Sequence, residues 1–253
     1  MKRGYNWKYG VFELIDRLSN DTQTGTDYLI ASFEALGKPI PAVLKNAAGK
    51  KFYQEEAENI SVLDAKGASN VIPFRDDSYM LAAKKRGKKP LHRNPSASLW
   101  DIDDGILCLE FHSKMNTIDP MIFEMMEKAL EIIPDNYKGL VIANDADNFC
   151  AGANIGLALF TANLAAYPML LDFVKKGQDV YMALKYAPFP VVSAPTGLAL
   201  GGGCELLMHS DAVNAHVETY TGLVEVGVGL IPGWGGCKEF LFRHMAARDK
   251  KFG

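Results

Sequence analysis

Four cysteines in 253 residues, no two of them in a C-x-x-C arrangement, leave neither a disulfide framework nor a thiolate metal knuckle to build on. Cys108, Cys150, Cys204 and Cys237 each stand beside apolar or glycine neighbours, so they are expected as reduced, buried thiols in a cytoplasmic protein. No apolar run reaches the roughly 18 residues of a membrane span, and the opening MKRGYNWKYG lacks the apolar stretch of a signal peptide. Membrane insertion and secretion are therefore set aside. A net charge of -3 supplies no field that would hold a nucleic acid or an acidic membrane, so an anionic ligand must be met locally. No G-x-G-x-x-G follows a strand near the start of the chain, which removes a dinucleotide site there. Repeats and low-complexity tracts are also missing.

What is present is a composition 48% hydrophobic, enough to bury a sizeable core. Residues 1–83 read as a small, mainly helical segment. Tyr9, Phe12, Leu14, Ile15 and Leu18 form one apolar set and Tyr28, Leu29, Phe33 and Leu36 another, before Gly37, Pro39 and Pro41 break the pattern. Residues 55–80 are polar and irregular and read as coil, with short strands at most. Residues 84–94 (KKRGKKPLHRN) concentrate Lys and Arg around Gly87 and Pro90, a composition that does not pack into a core, and 84–97 is expected as a basic linker. From residue 98 to 253 the texture changes to strands alternating with helices, the pattern of a layered α/β fold.

Leu99–Ile102 and Ile106–Phe111 flank Asp103-Asp104-Gly105, a hairpin signal. Asp119 and Pro120 supply a cap and first turn for a helix running to about Ile133. The short apolar runs Gly139–Ala143 and Val191–Ala194 are expected as strands covered on both faces. A long helix between them, from about Leu164 to Tyr186, ends at Pro188 and Pro190.

Three segments can carry chemistry. In Asn148–Ile155 (NFCAGANI), the small residues Ala151, Gly152 and Ala153 let a ligand approach backbone N–H groups. Gly201–Glu205 (GGGCE) opens an apolar helix, where free N–H groups and the positive end of the dipole can seat developing negative charge. In Leu223–Gly236 (LVEVGVGLIPGWGG), Glu225 sits in an apolar, glycine-rich loop, surroundings that favour a protonated carboxyl. Taken singly, each has a plainer reading: tight packing at the glycines, a favourable dipole partner at Glu205, a surface position at Glu225. Together they offer two donor sites and two carboxylates in one α/β domain. His112, His209 and His216 have no presented Ser or Cys nucleophile and read as structural.

With these segments in view, residues 98–248 resemble the crotonase (enoyl-CoA hydratase/isomerase) superfamily, which implies its ββα spiral core. FCAGAN is similar to the family's first oxyanion segment, so the resemblance assigns one donor to the Ala153 N–H. ALGGGCE is similar to the second and assigns the other donor to Gly202. Glu205 and Glu225 fall at the two acidic positions that mark hydratases, whereas isomerases and hydrolases of the family usually lack one or both. FHSKMN (111–116) resembles the family's clamp on coenzyme A, which makes Lys114 and Met115, with Ala151, the binding candidates; a solvated lysine is the other reading of Lys114.

Gly4–Asp16 (GYNWKYGVFELID) resembles the last helical repeat of 3-hydroxyacyl-CoA dehydrogenases. The resemblances together imply a piece of a fused dehydrogenase–hydratase of fatty-acid β-oxidation, with C-terminal helices of the crotonase domain missing. They imply an acyl-CoA substrate, coenzyme A as part of that substrate, no metal or redox cofactor for hydration, NAD only in the absent dehydrogenase portion, and allow a homo-oligomer. A Δ3-Δ2-enoyl-CoA isomerase and an inactive docking fragment stand as the alternatives.

Overall fold

The structure, a computed structural model, describes residues 9–56, 59–72, 81–85 and 88–249, and the chain divides into two compact units, 1–87 and 88–253. The first unit carries α1 (Val11–Arg17), α2 (Gly25–Ala35), α3 (Ala42–Asn46) and α4 (Leu81–Lys85). Between α3 and α4 come β1 (Tyr53–Glu56), β2 (Asn59–Leu63) and β3 (Ser69–Ile72). Thr24 caps α2 by accepting from Asp27 N at 3.2 Å. α1 and α2 cross so closely that a Cβ on Gly25 would lie 1.7 Å from the Ile15 carbonyl oxygen. The core here is small: Ile15, Leu44, Ala47, Phe52 and Leu63. Of the two expected apolar sets only Ile15 is fully buried, with Leu29 and Phe33 packed partly against it, while Tyr28 and Leu36 are exposed.

Within 55–80, read as coil with short strands at most, the described residues do form short strands, an antiparallel meander with Tyr53 opposite Val62 and Ile60 opposite Ile72. Every residue of β3 is exposed, so backbone pairing rather than an apolar face makes that strand, and periodicity could not report it. Residues 73–80 lie outside the described ones. The stretch 84–97 is not a free linker: Lys84 and Lys85 end α4, and β4 (His92–Arg93) pairs with the strand that follows.

The second unit is built on a six-stranded sheet in the order β10-β8-β7-β6-β5-β4. β4, β5 (Ala97–Asp101) and β6 (Ile106–Phe111) pair antiparallel, then β7 (Gly139–Ala143), β8 (Val191–Ala194) and β10 (Ala212–Val213) continue in parallel. The hairpin turn is as expected; Asp103, Asp104 and Gly105 all take positive φ, with Asp101 Oδ1 accepting from Asp103 N.

α5 (Pro120–Asn136) starts where Asp119 Oδ1 accepts from Ile122 N at 3.0 Å and runs one turn past the expected end. α6 (Ile155–Asn163) was not anticipated, and Ala165, at φ 54, separates it from α7 (Tyr167–Lys185), the expected long helix. A second, two-stranded parallel sheet joins β9 (Leu198–Leu200) to β11 (Tyr220–Gly222), leading into α8 (Gly202–Met208) and, after a loop, α9 (Gly236–Asp249). The core lies where α5 and α7 meet the sheet, around Phe123, Met126, Leu140, Ile142, Tyr181 and Trp234. Cys108, Cys150 and Cys204 are buried thiols as expected, but Cys237 is exposed: it stands in the first turn of α9, on its outer side.

Candidate functional site

The three glycine-bearing segments converge. Cys150 N donates to Leu198 O and Leu200 N to Cys150 O, both at 2.9 Å, which lays residues 150–153 along β9 just before α8 begins. On the other side Ile118 N donates to Gly152 O at 2.8 Å and Asn154 N to Ile118 O at 2.9 Å. Among the described residues no acceptor meets the N–H of Ala153, nor that of Gly202, first residue of α8. The two are neighbours: the position a Cβ on Gly202 would take lies 3.5 Å from Ala153 N, and that on Gly152 3.5 Å from Gly202 N. Gly152, at φ 96, and Gly201, at φ 51, hold backbone conformations that favour glycine, and this lets the two loops approach.

Gly202 itself is glycine for space. A Cβ there would lie 2.3 Å from Trp234 Cζ3, and one on Gly177 2.2 Å from Trp234 Nε1, so the indole is gripped between α7 and α8. It also meets Phe123, Phe173 and Tyr181 edge-on. Tyr181 donates its hydroxyl to Gly202 O at 2.7 Å, and burial raises its pKa well above the usual value, keeping that donor in place.

Both expected carboxylates reach this point. Glu205, in the first turn of α8, is fully buried, and its Oε1 accepts from Trp234 N at 2.8 Å and Gly236 N at 2.9 Å. Gly236 opens α9, so this carboxylate faces the positive ends of two helices. Burial nevertheless dominates and raises its pKa; the two N–H donors oppose the shift, and the charge of Glu225 adds to it. Glu225 begins a short 3-10 turn (Glu225–Val228), and its carboxylate packs on Gly201, where a Cβ would lie 3.1 Å from Oε1. Its Oε2 is buried with no hydrogen-bond partner among the described residues, an acceptor left open near Glu205 and these N–H groups.

The loop 111–116 is held to the same segment, for Ala151 N donates to Met115 O at 3.2 Å and Asn116 Nδ2 to Asn148 O at 2.8 Å. Met115 and Lys114 are exposed on a turn in which Met115 and Asn116 take φ 54. Met115 and Ala151 are thus brought together, with Lys114 beside them. His112 hydrogen-bonds Ser98 Oγ on β5 and Pro95 O just before that strand, a structural bracket, as its sequence position suggested. The clamp on Glu205 from Trp234 and Gly236 escaped the sequence reading; glycines ahead of a helix start were its only signal.

A family model described as enoyl-CoA hydratase/isomerase matches residues 101–249. A curated relative named "Probable 3-hydroxyacyl-CoA dehydrogenase", from Bacillus subtilis (strain 168), is 38% identical over 249 residues, 97% of this chain and 30% of that protein. The chain therefore spans under a third of that relative's length. Among solved structures, an enoyl-CoA hydratase from Polaromonas sp. JS666 aligns with a TM-score of 0.52 at 25% identity, covering 56% of each chain. The enoyl-CoA hydratase of Bacillus anthracis gives 0.52 at 23% identity over 57% of each, a likeness of fold.

Proposed function

The chain belongs to the enoyl-CoA hydratase/isomerase, or crotonase, family, and from that premise we propose that its second unit is an enoyl-CoA hydratase, adding water across the 2,3 double bond of a trans-2-enoyl-CoA. The observation that carries the reading is the pairing of two carboxylates with two free backbone donors: Glu205 buried with a raised pKa, and Glu225 with an unpartnered oxygen, beside the N–H groups of Ala153 and Gly202.

In this reading the thioester oxygen accepts from both N–H groups, which stabilise the enolate charge that develops as water attacks C3. One carboxylate, ionised, takes a proton from the attacking water as its oxygen bonds to C3. The other, protonated, delivers a proton to C2, so the pair as a whole holds one proton before and after turnover. Addition of water neither oxidises nor reduces the substrate, so the step as proposed draws on no metal or redox cofactor. Lys114, Met115 and the Ala151 segment receive the coenzyme A portion. The exposed apolar side chains of α6, among them Leu157 and Phe160 and beginning two residues after Ala153, offer surface to the acyl tail. We further propose that the parent protein couples this hydratase to a 3-hydroxyacyl-CoA dehydrogenase, which consumes the hydratase product and houses the NAD site, as consecutive steps of fatty-acid β-oxidation.

The test is loss of the enoyl absorbance of crotonoyl-CoA. Glu205→Gln and Glu225→Gln in the full-length protein are each expected to lower the rate roughly 10²–10⁴-fold with coenzyme A binding retained, because each removes a proton transfer at nearly constant volume. A variant keeping more than about a tenth of the rate strikes that residue from the mechanism.

A further inference from the structure

One buried cluster of titratable groups lies outside the proposed reaction. His209, the residue that closes α8, and Glu239, on α9, are both buried, at 1% exposure each. His209 sits one turn after Glu205 and donates its Nδ1–H to the Glu205 carbonyl at 2.7 Å; its Nε2 faces Glu239 Oε1 at 3.8 Å. Glu239 Oε2 pairs with Lys185 Nζ, at the end of α7, at 2.6 Å, and Lys238 Nζ stands 3.2 Å from Oε1. The Tyr181 ring of α7 covers the imidazole at 5.3 Å. Burial works against the charge on Glu239, but Lys185 and Lys238 outweigh it and hold the carboxyl below its ordinary pKa, while burial keeps His209 below its own and therefore neutral.

The position of this cluster connects it to the site. Glu239 lies one turn after Gly236, whose N–H is half of the clamp on Glu205, and its own N–H donates to Gly235 O at 3.0 Å. Arg243, one turn further along α9, reaches the carbonyls of Met208 and Ser210 at the end of α8. A cavity of about 310 Å³ borders His209, Trp234, Gly235 and Lys238, so the loop entering α9 has room to shift if its ties are lost. We infer that Glu239 is a positioning residue for Glu205: the Lys185–Glu239 ion pair, seated against His209, fixes the first turn of α9 so that the Trp234 and Gly236 N–H groups stay aimed at the Glu205 carboxylate. Those N–H groups favour the ionised form, so a loosened turn leaves Glu205 holding its proton to higher pH.

The inference deepens the hydratase reading, and its test has one readout that needs no turnover. In Glu239→Gln and Lys185→Met of the full-length protein, kcat for crotonoyl-CoA is expected to fall roughly 10-fold to 10²-fold with KM little changed, the scale of a misplaced catalytic group. At least one limb of the pH–rate profile moves to higher pH, and Lys185→Arg restores both. Independently, the infrared band of the Glu205 carboxyl, assigned by its loss in Glu205→Gln, titrates at higher pH in Glu239→Gln than in the parent. A parent without hydration activity refutes the proposed function, and the infrared titration then decides this inference alone. Variants whose melting temperature falls while the profile and the band stay in place, or a Lys185→Arg variant no better than Lys185→Met, overturn it and leave Glu239 a structural residue only.

Discussion

Glu205 and Glu239 are two buried glutamates on neighbouring helices, and their protons are governed in opposite directions. Around Glu205 the partners are backbone N–H groups and a second carboxylate, so burial prevails and the pKa rises. Around Glu239 burial acts in the same sense, but two ammonium groups lie within 3.2 Å and the pKa falls. Burial alone therefore does not say what a carboxylate does; the formal charges beside it do. One residue is left able to trade a proton, and the other is locked as an anion that can brace a helix.

The comparison breaks most visibly in activity set against stability. Glu205→Gln is expected to abolish most hydration, roughly 10²–10⁴-fold, yet to leave the melting temperature at pH 8 unchanged or higher, because it removes a carboxylate whose ionisation the fold opposes. A drop of several degrees on Glu205→Gln would mean that its hydrogen bonds to Trp234 and Gly236 outweigh that cost.

Next in size, Lys185→Met removes the nearer cation from Glu239. Breaking a buried pair is costly, but Lys185 is about a quarter exposed, so solvent screening reduces the loss to roughly 1–3 kcal/mol. Denaturant unfolding of the variant measures it, and Lys185→Met combined with Glu239→Leu should recover part of the loss. No recovery would place the stabilisation in packing instead of charge.

The smallest effect is in the pH dependence of stability. For Glu205, raised above its ordinary 4.5, the native state binds the proton more tightly than the unfolded chain; its contribution is complete below 4.5 and is lost as pH rises through the folded value. For Glu239, lowered from 4.5, the contribution is present above 4.5 and is lost as pH falls through the folded value. Unfolding free energies across the two ranges should show Glu205→Gln flattening the decline on the alkaline side and Glu239→Gln the decline on the acid side. Identical slopes in both variants would erase the distinction between the two residues.

The sequence by itself determined the elements whose local rules are strong. The Asp103-Asp104-Gly105 turn, the Asp119 cap and the strands Gly139–Ala143 and Val191–Ala194 all stand where residue type demands them, because capping, positive φ and continuous apolar runs are decided within a few residues. It also set apart the segments 148–155, 201–205 and 223–236 with Glu205 and Glu225, since small residues at strand-to-helix turns and acids in apolar company are visible one segment at a time, whereas the family resemblance alone pointed to Ala153 and Gly202 as donors. Tertiary structure alone decided what is made between segments. The exposed meander of β1–β3 depends on backbone pairing across the chain, and the short strand His92–Arg93 exists only because β5 is there to receive it. Likewise the clamp on Glu205 spans 29 and 31 residues of chain and uses main-chain donors that no side-chain pattern announces. The ion pair of Lys185 with Glu239 joins residues 54 apart. Whether a given glutamate keeps or gives up its proton followed from those long-range placements, because the fields that set a pKa act over distances in space that the order of residues does not record.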